Sequence, residues 1–214
     1  MDEDRNLAES IRDETEQAML TRMDRQAKNL LNLDQVTAWI LKYIIPEFQD
    51  LDRETIVREH LLPVEKRSAV REDGDATVFF DNWRKVRLKS GETAQCFFFV
   101  DFEPQNRFYP GYPLPKRGTY YSCRMISSQI KPNAEKSPYG KISKVYSVWI
   151  CFDPPSGAEN SAIRFTTTQH ALTGNYAFAQ EDYDLIEQWY FLLSDREETD
   201  HMLLRFFDVL FSKE

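Results

Sequence analysis

The spacing of apolar residues predicts helices in the first third of the chain. Residues 3–30 are polar with few apolar positions, which predicts a peripheral helix. A firmer helix is predicted after Asp34, a candidate N-cap, and Pro46 ends it. Its apolar face consists of residues three and four apart: Val36, Trp39, Ile40, Tyr43 and Ile44. Residues 51–61 predict a short third helix.

The pattern changes to β in the middle of the chain. Residues 77–80 and 84–88 predict either one bent strand or two short ones, with the break at Asp81 and Asn82. Residues 93–103 contain the continuous apolar run CFFFV. Because an alternating strand has one wet face, a continuous run predicts a strand that is buried on both faces and lies inside a sheet.

The second half of the chain alternates between the apolar spacing of helices and that of strands. We expect a helix over 118–129 and strands over 144–152, 162–167 and 185–192. Ser194 and Glu197 have the spacing of a capping box, which predicts that a C-terminal helix opens there. This order predicts a mixed α/β fold in which helices flank a central sheet.

Composition sets the class of protein. With 214 residues, 42% hydrophobic, the chain predicts one domain over 31–214 preceded by a helical extension over 1–30. No apolar run approaches the ~20 residues that a membrane span needs, and the acidic N-terminus does not resemble a signal peptide. Three widely spaced cysteines argue against a disulfide framework and predict a cytoplasmic protein.

The charge is distributed unevenly. The net charge is −8, yet residues 104–148 carry eight bases and one acid. A basic segment in an acidic chain predicts a face that meets a negatively charged ligand. The alternative is a solvated loop rich in lysine.

Carboxylates gather where the buried strand ends. Asp101, Glu103 and Gln105 occupy alternate positions, so a strand projects them to one side. Two carboxylates about 7 Å apart at the edge of a core repel each other unless a cation neutralises them, and oxygen ligands favour Mg²⁺ or Mn²⁺. Asp81, at the break in the preceding β segment, could come alongside Glu103. The alternative is a strand that emerges into solvent with its acids at the wet end.

Three stretches of the chain carry a resemblance to a known family: residues 33–52, 103–127 and 144–155. The second stretch is the most specific, because it combines FYPGYPL with RGTYYSCRMIS. Together with an acid before Glu-x-Gln, they resemble the PD-(D/E)XK nuclease superfamily, and more closely the bacterial PD-(D/E)XK nuclease family transposases. The resemblance covers most of residues 28–214.

The resemblance implies a restriction-endonuclease-like αβββαβ core that binds Mg²⁺ and cleaves DNA, with a link to a mobile element. Glu103 matches the glutamate of the motif, and the backbone carbonyl of Pro104 matches a further metal ligand. Gln105 stands where the family usually has lysine. An amide can hydrogen-bond an attacking water but supplies no positive charge.

The remaining acids of the site are assigned by position. Asp81 is the first choice for the upstream metal ligand and Asp75 is its rival, while Asp101 is an additional candidate ligand. Glu47 follows the first strong helix, where the superfamily carries an accessory acid. The alternative for Glu47 is a solvated residue after Pro46.

The basic segment supplies the candidate DNA contacts. Arg117, Tyr121 and Arg124 are three and four residues apart and share one face of the predicted helix. The alternative is an amphipathic helix whose tyrosine packs and whose arginines extend to solvent. The full set of candidates is Arg107, Lys116, Arg117, Tyr121, Arg124 and Lys131. DNA is thus the expected partner, a homodimer is compatible with these features, and the alternative function is a catalytically inactive module that binds nucleic acid or protein.

Overall fold

The computed structural model describes residues 2–63, 69–70, 78–79, 82–101, 112–130, 138–152, 154–193 and 199–211. The helices are α1 (Asp2–Leu31), α2 (Asp34–Ile44), α3 (Arg53–Thr55), α4 (Leu114–Ser127), α5 (Gln180–Tyr183) and α6 (Met202–Phe211). The strands are β1 (Ala69–Val70), β2 (Val78–Phe79), β3 (Asn82–Arg87), β4 (Thr93–Asp101), β5 (Val145–Cys151), β6 (Ser161–Phe165) and β7 (Ile186–Leu192). None of the helices in these ranges is both long and apolar enough to cross a membrane.

A mixed five-stranded sheet organises the fold, in the order β3-β4-β5-β7-β6. The inner strands β4, β5 and β7 are parallel, whereas β3 and β6 run antiparallel to their neighbours. β2 pairs with β1 in a separate two-stranded sheet, so the segments 77–80 and 84–88 contain two short strands rather than one. The prediction of a mixed α/β fold with helices flanking a central sheet is confirmed.

The two faces of the sheet are covered by different helices. On one face, Phe98, Val148 and Phe191 pack in a large apolar core with α2, α6 and the last turns of α1. On the other face, Trp149 and Tyr190 pack against α4. β5 is buried at all seven of its positions, as expected for a strand that has parallel neighbours on both sides.

Helix starts are where the structure departs most from the sequence pattern. α4 begins at Leu114, before the predicted 118–129. Pro115 is compatible with the first turn of a helix, because backbone N–H groups there have no partner within the helix and proline has none to satisfy. Asp34 is not an N-cap: α2 begins at Asp34 itself, and Leu33 holds the cap position without a side-chain bond. The Asp34 carboxylate instead lies 3.2 Å from a buried guanidinium of β3, that of Arg84.

The predicted capping box at Ser194 and Glu197 does not open the C-terminal helix. α6 begins at Met202, and the preceding residues 199–201 are not helical. His201 performs the capping instead: its carbonyl accepts the Arg205 amide at 3.1 Å, and its Nδ1 faces the Leu204 amide at 3.5 Å. Ser194 and Glu197 themselves lie outside the described residues.

Side chains of β3 hold the joint between α1 and α2. The Asn82 amide donates to the carbonyl of Leu31, and the Arg84 guanidinium donates to that of Asn32 at 2.6 Å. Both carbonyls belong to the end of α1, where the helix leaves them without intrahelical partners. Asn82 and Arg84 are buried, so these bonds attach the first helices firmly to the sheet.

Candidate functional site

The carboxyl end of β4 lies beside that of β5, whereas the pairing of β4 with β3 ends at Phe98. Asp101, the last residue of β4, pairs with Cys151 of β5, which in turn pairs with Leu192 of β7. Three parallel strands therefore finish side by side at this end. The prediction that this apolar run forms an interior strand is confirmed for residues 95–98, which have β3 on one side and β5 on the other; residues 102 and 103 lie outside the described residues. Such an end is where α/β sheets commonly place their ligands.

Most residues of the predicted metal site lie outside the described residues. These are Asp75, Asp81, Glu103, Pro104 and Gln105, together with the DNA-contact candidates Arg107 and Lys131. In sequence, Asp81 directly precedes β3, and Glu103 is two residues beyond β4. Within the described ranges, no three or more His, Cys, Asp or Glu residues gather as a group that could hold a metal ion. The metal assignment therefore stays a prediction.

Glu47 lies at the other end of β4. It belongs to a short 3₁₀ turn over Pro46–Phe48, and its Oε2 accepts the Lys89 amide at 2.7 Å, in the turn between β3 and β4. The nine residues of β4 span about 25 Å from that turn to Asp101. The structure therefore does not bring Glu47 together with Asp101.

The predicted face of α4 packs partly on the sheet. The Arg117 Nε donates to the Tyr121 hydroxyl at 3.2 Å, and its guanidinium lies over the rings of Tyr121 and Trp149 at 5.3 and 5.6 Å. Arg124 is buried, whereas Lys116 is exposed. The structure thus brings Arg117 and Tyr121 together against β5, an arrangement in which an arginine is held in place by aromatic faces.

A glycine determines how closely α4 approaches the sheet. Gly118 is buried, and a methyl group at this position would overlap Tyr190 Oη and Gln188 Oε1 of β7. These two groups are joined by a 2.7 Å hydrogen bond, and the Gln188 Nε2 donates to Thr119 Oγ1 at 3.0 Å. The α4 backbone therefore rests on a buried polar pair, which fixes the height of Arg117 and Tyr121 above the sheet.

Lys144, counted in the basic segment, is neutralised within the fold. Its Nζ lies 2.7 Å from Asp184 Oδ2 and 2.9 Å from Glu187 Oε2. Glu187 is fully buried, and its Oε1 also accepts from Arg164 Nε at 2.9 Å and Trp189 Nε1 at 2.8 Å. Residue spacing does not predict this network, and its one signal in the sequence is a single carboxylate inside the apolar strand IEQWYFL.

In the described part of the basic segment, residues 104–148, fewer cations are exposed at the surface than the sequence contains. Five of its eight bases are described, and two of these, Lys116 and Lys141, have exposed side chains. Arg117, Arg124 and Lys144 are half-buried or buried. Burial and pairing reduce the field that these three cations present to a polyanion.

A comparison with family models, curated proteins and solved structures finds no match for this chain.

Proposed function

We propose that this protein is a metal-dependent DNA endonuclease whose site lies at the carboxyl end of β4. The observation that supports this best is the position of Asp101. It ends an interior strand, beside the ends of β5 and β7, in a chain whose next acid is Glu103. Two carboxylates at alternate positions after an apolar strand repel each other unless a cation or a basic group accompanies them.

The order of elements adds support. Helices come first, then the β3–β4 hairpin, then α4, then β5 parallel to β4. A restriction-endonuclease-like αβββαβ core has this arrangement of hairpin, crossover helix and parallel strand, according to the resemblance of residues 103–127. We infer that finer fold class from the resemblance together with the topology.

In this proposal, Asp81 and Glu103 hold Mg²⁺ or Mn²⁺, with the Pro104 carbonyl and Asp101 as further ligands. A divalent ion held there would supply activation of a water and stabilisation of negative charge for hydrolysis of the phosphodiester. Gln105 orients the attacking water through its amide, and Arg117 faces the scissile phosphate from α4. Lys116 contributes to holding the DNA backbone.

Nicking of supercoiled plasmid with Mg²⁺ tests the endonuclease. Glu103→Gln removes one ligand charge and should lower the nicking rate at least about 100-fold. Glu92→Gln is the matched control, because Glu92 is exposed in the turn at the opposite end of β4. This variant should nick at the parent rate. If Glu103→Gln nicks as fast as the parent, the site is assigned wrongly.

A second candidate is a nuclease-like module that binds nucleic acid or protein without cleavage. The burial of Arg124 and the glutamine at 105 favour it, because a buried guanidinium is withdrawn from a polyanion and an amide carries no positive charge. Calorimetric titration with Mg²⁺ separates the two. Metal binding at millimolar concentration or below favours the endonuclease, whereas salt-sensitive DNA binding without metal or nicking favours the module.

A further inference from the structure

An uncharged arm projects from one edge of the sheet. Residues 166–179, hereafter the arm, connect β6 to α5, and every one of them is exposed. No Asp, Glu, Lys or Arg occurs between Arg164 and Glu181, although 29% of the chain is charged. The polar residues of the arm are threonine, glutamine, histidine and asparagine, so the arm lacks acidic, lysine and arginine side chains rather than polarity.

Specific hydrogen bonds hold the arm in shape. The Gln169 side chain bonds the Phe178 backbone in both directions: its Nε2 donates to the carbonyl at 2.8 Å, and its Oε1 accepts the amide at 3.1 Å. At the base, the Thr167 amide donates to Asp184 Oδ1 at 3.2 Å. A positive φ of 75° at Gly174 serves the turn at the tip. The arm therefore has a fixed conformation although it is not buried.

The arm and the edge strand present apolar side chains to solvent. Leu172, Tyr176 and Phe178 are 96%, 77% and 61% exposed, and the two rings meet edge to face at 5.1 Å. On β6, Ile163 and Phe165 are 41% and 43% exposed. Both belong to the face of the sheet that α4 covers over β5 and β7. Among the described residues, β6 has a strand neighbour on one side only.

We propose that the arm and the exposed face of β6 form the surface through which two copies of this chain associate. A two-fold interface sets a patch against itself, so like charges within the patch would repel. In a chain of net charge −8, an uncharged patch avoids that repulsion. The same lack of cations is unsuited to a phosphate backbone, which argues against nucleic acid as the occupant.

The available area reaches what a dimer needs. Three of the five side chains are aromatic, with about 150–250 Å² each when whole, and complete burial of the exposed parts of all five would cover roughly 600 Å² per copy. The pair would then bury about 1,200 Å² from these side chains alone, which is the lower end of specific interfaces. On the side of β6 away from β7, where the described residues include no strand, backbone groups could pair with a second copy. The proposal uses no catalytic residue, so it stands apart from the proposed function.

Sedimentation of the full chain from roughly 1 to 100 µM tests the proposal. We expect a species of twice 25.3 kDa, and a dissociation constant that rises at least about 10-fold in Leu172→Glu and in Phe178→Glu. Met202→Glu is the matched control, because it makes the same charge change at a 52% exposed apolar residue of α6. It should associate like the parent.

Two results would overturn the proposal. One is a monomer throughout the concentration range. The other is a dimer that Leu172→Glu and Phe178→Glu weaken no more than Met202→Glu does, since association would then use another surface. Thermal unfolding of each variant verifies folding, and Leu172 is suited to the test because its side chain is 96% exposed.

Discussion

At the scale of single residues, the chemistry of this protein is decided by what each side chain meets across the fold. Lys144 and Lys116 belong to the same basic segment, yet one is held by two carboxylates and the other is exposed. Glu47, a candidate catalytic acid, caps a turn through the Lys89 amide. A charged residue contributes to a binding face only where the fold leaves its charge unpaired.

Gly118→Ala should destabilise the protein by about 1–3 kcal/mol, because a methyl group there overlaps Tyr190 and Gln188. This net change already includes the ~1 kcal/mol by which alanine is the better helix former. Urea unfolding measures the difference. Gly140→Ala is the control, since Gly140 has open space around it and should change stability by less than ~0.5 kcal/mol. Equal stability of the two variants would contradict the close approach of α4.

At the scale of elements, a buried ionic network ties three segments together. Lys144 immediately precedes β5, Glu187 lies in β7 and Arg164 lies in β6, while Asp184 lies between α5 and β7. Burial by itself raises the pKa of the Asp184 carboxyl, but hydrogen bonds from Lys144 and Gln180 outweigh it and hold that pKa below its usual range. The network thereby anchors both the edge strand and the base of the arm.

Asp184→Asn should lower the free energy of unfolding by about 1–3 kcal/mol at pH 7. Between pH 7 and pH 3 the variant should then lose less stability than the parent does. A depressed pKa means that the carboxylate stabilises the fold above its ordinary pKa of about 4, and that this contribution is lost as the pH falls through the lower folded value. Thermal unfolding from pH 7 to pH 3 measures the change. Asp182→Asn, at an exposed acid of α5, should follow the parent curve. An unchanged pH dependence in Asp184→Asn would show that the network does not hold this carboxyl ionised.

At the scale of the whole molecule, the helical layer and the sheet are joined by polar bonds as well as by the core. α1 runs without a break to Leu31, and its Ala27 and Leu31 are buried in the large core. Asn82 and Arg84 of β3 then fasten the joint between α1 and α2. The joint is thus attached to the strand that immediately follows Asp81 in the chain.

Asn82→Ala should destabilise the protein by about 1–2 kcal/mol, because it leaves the buried Leu31 carbonyl with fewer donors. Amide hydrogen exchange should quicken at the α1–α2 joint and in β3. Arg87→Ala, an exposed position of the same strand, is the control and should leave exchange at the joint unchanged. If both variants exchange alike, the Asn82 bond does not hold the joint.

The sequence by itself determined the class of fold and the interior place of β4. Apolar periodicity is a property of neighbouring residues, and a run such as CFFFV predicts a strand with neighbours on both sides. The helices α2 and α4 and the strands β4, β5 and β7 follow from that pattern. Exact helix starts do not, because His201 caps α6 where Ser194 and Glu197 had the better local pattern.

Only the tertiary structure decided which charges remain available and where the candidate residues stand. Lys144 meets Asp184 across 40 residues, and Glu47 meets Lys89 across 42. No local spacing encodes such partners, since they depend on how strands align in the sheet. The exposure of the arm is decided in the same way, because an uncharged stretch becomes a surface only when the fold leaves it uncovered.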